Sequence, residues 1–335
     1  MMSTASLTRA WRLPRDLALI TLAVEVALVL FNAGMLLRPG ALGSQQLHGI
    51  GSSPSAWVPM AAGFVAAWML AAALAWSHAR QALEVRGVVN VARLTQARTR
   101  YPAPYFMVLL LNYYGLGPLF YKLQETLLSA DWLQGAFGRF AMSSSVVVYE
   151  AVQLAVLALS VWFAAWVALR APKAAASGER EAAAAAPMSG SPRRAVATLV
   201  AVFFTSLQMW CAMLASIGGV VIGPLNGVAL LLFWSALPLV TFTLSFWGGW
   251  LGTAPGLVQV RPFKAVAASA LASMLVLASC VAVFFAGVEL VLPPMRGMSG
   301  LGSLIVLAGV LVVLYLALTV LLTRFITRRL YRPYL

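Results

Sequence analysis

Charge is scarce in this chain, and acid scarcer still: nine Asp and Glu stand against 23 Lys and Arg in 335 residues, and charged residues make up 10% of the total. A soluble domain carries about 25% charged residues. With 62% of its residues hydrophobic and a mean hydropathy of +0.89, a soluble fold could not hide the apolar surface, because much of any surface must face water. The shortage of charge therefore excludes an aqueous protein and points to lipid as the solvent. The net charge of +14 does not signal nucleic acid. Its cations sit in short clusters at the ends of apolar runs, where membrane topology and anionic headgroups account for them.

Cysteine and histidine are nearly absent as well. Cys211 and Cys280 both fall inside apolar runs and read as small core hydrophobes, not as a disulfide or a metal pair. The two histidines, His48 and His78, are expected on opposite sides of the membrane, which argues against haem or metal ligation within one chain. The sequence has no phosphate-binding loop, no Gly-rich nucleotide fingerprint, no HExxH pair and no paired-aspartate motif. Serines occur in the spans without a base placed to activate them. We expect neither a cofactor nor an enzyme. Only three cations are Lys (Lys122, Lys173 and Lys264), and this Arg bias with abundant Ala fits a GC-rich bacterial gene.

What is present is apolar length. The first run, Leu17–Leu37, follows Arg9, Arg12 and Arg15; it exceeds a signal-peptide core and no small-x-small cleavage site follows it. Seven more runs follow: Ala56–Ser77, Pro104–Tyr121, Ser143–Leu169, Ala195–Val221, Val228–Trp247, Ala265–Leu292 and Ser303–Thr323. Each is near or above the roughly 17–25 residues that cross about 30 Å of hydrocarbon. The third is short and interrupted by Gly115, Gly117 and Pro118.

Alternate segments differ sharply in charge. One side would hold Arg9, Arg12, Arg15, the cations from Arg80 to Arg100, those from Arg170 to Arg194, Arg261 and Lys264, and those from Arg324 to Arg332. The other keeps only Arg38, Lys122, Arg139 and Arg296. The positive-inside rule then gives an all-α, polytopic membrane protein of about eight transmembrane helices with both termini in the cytoplasm. The low-complexity segment 170–194 reads as a cytoplasmic linker between two four-helix halves, 1–169 and 195–335, a 4+4 arrangement. Its expected home is a bacterial inner membrane.

Polar groups in the spans are the candidate site, since ionisable groups are costly in a bilayer. Glu25 lies mid-span, with Asn32 two turns on along the same face. Glu150 has Gln153 a turn away, Glu289 lies near the outer boundary, and Asn112 and Gln208 complete the set. On one reading Glu25, Glu150 and Gln208 share a path that binds a cation or relays protons; on the other these groups bond neighbouring helices together. No basic residue lies in mid-span to pair with the acids. Asn112–Pro118 and Gly218–Pro224 read as helix breaks, and Pro238 as a kink. Residues 122–142 are expected to form a short helix on the outer interface. In the loop His78–Arg100, Val85, Val88, Val89 and Ala92 line one helical face while Arg86, Arg93 and Arg100 line another. That loop is expected either to dock a cytoplasmic partner or to rest on anionic headgroups.

The sequence thus leads to a membrane-embedded component of a transport or export system, permease-like and lacking its own energy-coupling domain. Its partners would be the lipid bilayer and a cytoplasmic ATPase or a signalling protein, or further copies of the chain. The competing reading is a non-catalytic membrane scaffold or sensory module that recruits signalling or envelope-assembly proteins.

Overall fold

The structure, a computed structural model, describes residues 4–36, 54–86, 96–128, 141–170, 192–217, 227–257, 259–287, 289 and 300–332. Every element among them is helical, and the described part of each of the eight apolar runs is helical. In chain order these are α1 (Thr4–Leu36), α2 (Pro54–Arg86), the short α3 (Ala97–Arg100) and α4 (Pro102–Leu111). A π-turn over Asn112–Leu116 leads into α5 (Gly117–Leu128). Then come α6 (Ala141–Leu169), α7 (Pro192–Ile217), α8 (Gly227–Gly252), α9 (Pro262–Ala286) and α10 (Gly300–Tyr331). Four helices open on proline (Pro54, Pro102, Pro192 and Pro262), where the missing N–H has no helical partner to lose and φ is already helical.

Among the described residues six helices are long and apolar enough to cross a membrane: Arg12–Gly34, Val58–Glu84, Ala151–Leu169, Pro192–Met213, Pro262–Ala286 and Val306–Tyr331. Their outer surfaces suit lipid. Leu30, Phe31, Met274, Phe285, Val313 and Phe325 are each more than half exposed. In water each would forgo a good part of the roughly 1.5–3 kcal/mol that full burial of such a side chain gives, so a bilayer is the solvent in which this surface is favourable.

The chain divides into two compact units. The first comprises Met1–Ser189 with Met209–Trp234, the second Gly190–Gln208 with Ser235–Leu335. Helix α7 contributes to both.

In the first unit α1 packs on α2, α2 on α6, α6 on α4 and α4 on α1, so the four close into a ring. Met209 and Met213 add a small cluster with Val58, Ala62, Ala66 and Trp234.

The second unit is built on small residues. Gly248 and Gly252, four apart on α8, lie against Thr323, the Val320 and Arg324 carbonyls and Thr327 of α10. A Cβ on Gly252 would come within 2.7 Å of the Arg324 carbonyl oxygen, so only glycine permits this approach. Thr319, Thr323 and Thr327 form a fully buried stripe at the same four-residue spacing. Helix α9 meets α7 through Ser269, whose hydroxyl donates to the Val200 carbonyl at 2.8 Å. Phe204, Ala268, Ala272, Val276 and Ile326 fill the core.

One end of the second unit is fastened by polar bonds. The Arg193 guanidinium donates twice to the Trp250 carbonyl, at 3.0 and 2.7 Å, and lies over the Trp250 ring at 4.2 Å. This joins the start of α7 to the last turn of α8, where a cation meets the negative end of the helix dipole. Tyr331 donates to the Val260 and Arg261 carbonyls at 2.6 and 3.0 Å, joining the end of α10 to the start of α9. Arg261 holds a left-handed φ of 42° at that junction. Arg194, Arg324, Arg328, Arg329 and Arg332 are exposed around this same end.

Several local expectations change. Asn112–Pro118 does not break its helix but widens it by one π-turn, and the helix continues to Leu128. Much of the loop expected over His78–Arg100 is instead an extension of α2 to Arg86, with the chain helical again from Ala97. Residues 122–128 likewise belong to a continuing helix. Residues 87–95, 129–140, 171–191 and 218–226 lie outside the described residues. These include Arg93, most of the segment 170–194 and the Gly218–Pro224 break.

Candidate functional site

The polar groups of the first unit form a seam between α1 and the helical segment from α3 through the π-turn. At its foot Arg98 pairs with Asp16 at 2.6 Å, and Arg15 reaches the same carboxylate at 3.5 Å. One turn up, the Thr21 hydroxyl donates to the Leu17 carbonyl at 2.8 Å, which commits its only proton. The Tyr101 hydroxyl, 2.8 Å from Thr21 Oγ1, must therefore be the donor between those two. Next, Tyr105 donates to Glu25 Oε1 at 2.6 Å. Highest on the seam, Tyr114 donates to Asn32 Oδ1 at 3.1 Å.

These four rungs climb both helices in the same direction, so α1 and the third helical segment run parallel. Two helices can be parallel only if the chain between them returns, and α2 provides that return. The rungs extend over 16 residues of α1, or about 24 Å at 1.5 Å per residue, most of a hydrocarbon core of about 30 Å.

The π-turn adjusts the upper rung. Seven residues separate Glu25 from Asn32, whereas nine separate Tyr105 from Tyr114. The wide turn, closed by the Gly117 N–H on the Asn112 carbonyl, takes up extra residues so that Tyr114 still reaches α1. Such turns recur at functional sites. From within it, the Asn112 amide donates to Gln153 Oε1 of α6 at 2.5 Å. Asn112 Oδ1 is buried without a hydrogen-bond partner among the described residues.

Burial sets the seam apart from a surface network. Thr21, Tyr101 and Tyr105 are fully buried, and Glu25 and Asn112 are 5% exposed. The Tyr101 and Tyr105 rings stack at 5.7 Å, which holds their hydroxyls on one face, four residues apart. A buried carboxyl without a donor is costly, and Tyr105 supplies that donor to Glu25.

The structure thus brings Glu25, Asn32, Asn112 and Gln153 into one unit. Gln208 belongs to the second unit, where its amide donates to Ser273 Oγ at 2.8 Å. Glu289 is exposed just beyond α9, and Arg100 is exposed at the end of α3. The side chains of Glu150 and Arg86 lie outside the described residues, as does all of Arg93. Cys211 and Cys280 are free thiols, each half-buried. No group of three His, Cys, Asp or Glu side chains suited to a metal ion occurs among the described residues.

Sequence reasoning missed Asp16, Thr21, Arg98, Tyr101, Tyr105 and Tyr114, although a signal was there. Thr21 and Glu25 repeat at i, i+4 on one helix and Tyr101 and Tyr105 at i, i+4 on another, which places each pair on one face. Comparison with known protein families, curated proteins and solved structures finds no match to this chain, so the geometry of the seam is what a functional reading must rest on.

Proposed function

We propose that the chain is the membrane-embedded, permease-like component of a transport or export system, and that its α1 seam binds a cation or relays protons. The observation that carries this reading is the column of four polar rungs, centred on buried Glu25, over most of a membrane thickness. A carboxyl, two stacked phenols, a threonine and two amides are the groups that hand protons along a wire or coordinate a small cation. The unpartnered Asn112 Oδ1 adds an acceptor at the π-turn. No nucleotide-binding motif occurs in the sequence, so energy would come from a cytoplasmic partner such as an ATPase or from an ion gradient.

In this reading all eight helical segments cross a bacterial inner membrane, with both termini in the cytoplasm, as two groups of four. The positive-inside rule supports that orientation. So does the crowding of Arg194, Arg324, Arg328, Arg329 and Arg332 at one end of the second unit.

The test is proton flux into vesicles reconstituted with the full chain, driven by a potassium diffusion potential and read by an internal pH dye. Wild type should conduct above empty vesicles, and Glu25→Gln and Tyr105→Phe should fall to background. Absent wild-type flux, or full flux in Glu25→Gln with only a lower melting temperature, would make the seam a packing device. A second reading, a membrane scaffold that recruits signalling or envelope-assembly proteins, draws on the same exposed arginines of the second unit. It expects charge reversal at Arg328 and Arg329 to abolish function while Glu25→Gln does not.

A further inference from the structure

A second polar feature of the first unit lies away from the seam. Where α2 and α6 end, a groove of about 290 Å³ opens, lined by His78, Gln81, Trp162, Trp166, Leu169 and Arg170. We propose that this groove binds one anionic phospholipid, its phosphate held by Arg170 and Gln81 and its glycerol and acyl carbons lying against Trp162 and Leu169.

The position of the groove supports a lipid. The apolar span of α6 stops at Leu169 and that of α2 at Glu84, so the groove sits where hydrocarbon gives way to headgroups. Trp162 and Trp166 are 50% and 47% exposed, and indoles favour that depth because one edge is apolar and the other carries an N–H. Phe163 stacks on Trp166 at 6.2 Å and continues the aromatic surface along the helix.

The chemistry selects the charge. The polar lining offers donors from a guanidinium, a carboxamide and indole N–H groups, and it includes no carboxylate; the His78 imidazole is engaged with the Leu74 carbonyl at 2.9 Å. Glu84, on the next turn of α2, is bound to Arg80 at 3.2 Å. A guanidinium fork matches two phosphate oxygens at once, and basic pockets between helices on this kind of boundary hold anionic headgroups. A choline headgroup would seek the face of an indole, but the Arg170 guanidinium already lies 4.7 Å from the centre of the Trp166 ring. A free phosphate would leave Trp162 and Leu169 without a contact, whereas the acyl carbons of a lipid cover them. The inference depends on the groove lying at a membrane boundary and is independent of the transport reading.

Native mass spectrometry of the full chain, released from detergent after titration with phosphatidylglycerol or phosphatidylcholine, tests it. The first phosphatidylglycerol should bind about tenfold more tightly than phosphatidylcholine, because both carry the phosphodiester but choline adds a cation that the Arg170 guanidinium repels. Arg170→Gln should remove that preference, Trp166→Leu should weaken both lipids, and Arg328→Gln should change neither. Equal binding of the two lipids by wild type, or an undiminished preference in Arg170→Gln, would overturn the proposal. Displacement of phosphatidylglycerol by soluble glycerol 3-phosphate at equal concentration would also overturn it and reassign the groove to a free phosphate ester.

Discussion

In the first unit α1 and its parallel neighbour are joined by a polar contact at four levels, from Asp16 and Arg98 to Asn32 and Tyr114. In the second, α8 meets α10 through Gly248 and Gly252 lying on a threonine stripe. Hydrocarbon gives helices no hydrophobic reason to associate, so either close packing or hydrogen bonds must do it. The first unit relies on polar bonds along this whole contact, whereas the second adds a close-packed contact of small residues to polar bonds of its own. Close packing depends on shape alone and is indifferent to protonation. A seam of hydroxyls, amides and carboxyls depends on where each proton sits, so its strength can change with what binds or ionises there. The seam is therefore the contact whose strength depends on protonation, and the glycine–threonine contact is the one whose strength does not.

If shape holds the second unit, bulk should break it. A Cβ at Gly252 already falls 2.7 Å from the Arg324 carbonyl oxygen and 2.8 Å from Thr327 Cβ, and both belong to an ordered helix that cannot turn aside. Gly252→Leu should therefore cost about 3 kcal/mol, the upper part of the range for overpacking. The measurement is thermal unfolding in detergent. A melting temperature within a degree of wild type would show that α8 and α10 are not held by close approach.

If hydrogen bonds hold the first unit, deleting a donor should hurt while leaving the shape intact. Tyr105→Phe removes one oxygen and strands the buried Glu25 carboxyl, at a cost of about 1–3 kcal/mol. Replacing both partners should be milder than replacing one: Tyr105→Phe with Glu25→Leu leaves no orphaned polar group and should recover part of the loss. Additive costs in that double-mutant cycle would mean that the two side chains are uncoupled and the rung contributes nothing.

The helices were legible because apolar length is a one-dimensional signal, and the described part of each of the eight runs is helical. The ends were less so. Arg80 and Glu84 on α2 look like loop residues by charge, yet they pair at i, i+4 and carry the helix to Arg86. The site was half legible. Glu25 and Asn32 stand out because acids and amides are rare in lipid, but Tyr101 and Tyr105 do not, since tyrosine near a membrane boundary is ordinary. Which helices are neighbours is three-dimensional information, and the tyrosines gain meaning only once α4 is known to lie on α1. Gln208 shows another side of this: its rarity marked it as a candidate, and the partner the structure gives it within its own unit, Ser273, is a residue that sequence reasoning had not singled out.

That glutamine allows a direct measure of one polar bond within the close-packed unit. Gln208 and Ser273 each belong to helices also joined by the Ser269 bond to Val200, so a single rung is one contact among several. Ser273→Ala should cost about 0.6 kcal/mol, the average for a hydrogen bond between membrane helices. A loss as large as that of Tyr105→Phe would mean that the second unit leans on polar bonds as heavily as the first.

Thr323 offers the finest discrimination, because its hydroxyl sits at the tightest contact in the second unit and yet does not cross it. The proton goes to carbonyls of its own helix, at 2.5 Å to Thr319 and 3.2 Å to Val320, which already accept backbone N–H groups in the ordinary helical pattern. Valine keeps the volume against Gly248 and loses only this local bond. Thr323→Val should therefore stay within about 0.5 kcal/mol of wild type, although the residue is fully buried and polar. A cost of the size expected for Tyr105→Phe would place the hydroxyl in a bond to α8. The threonine stripe would then be a second polar seam, and the contrast between a unit held by shape and a unit held by protons would no longer stand.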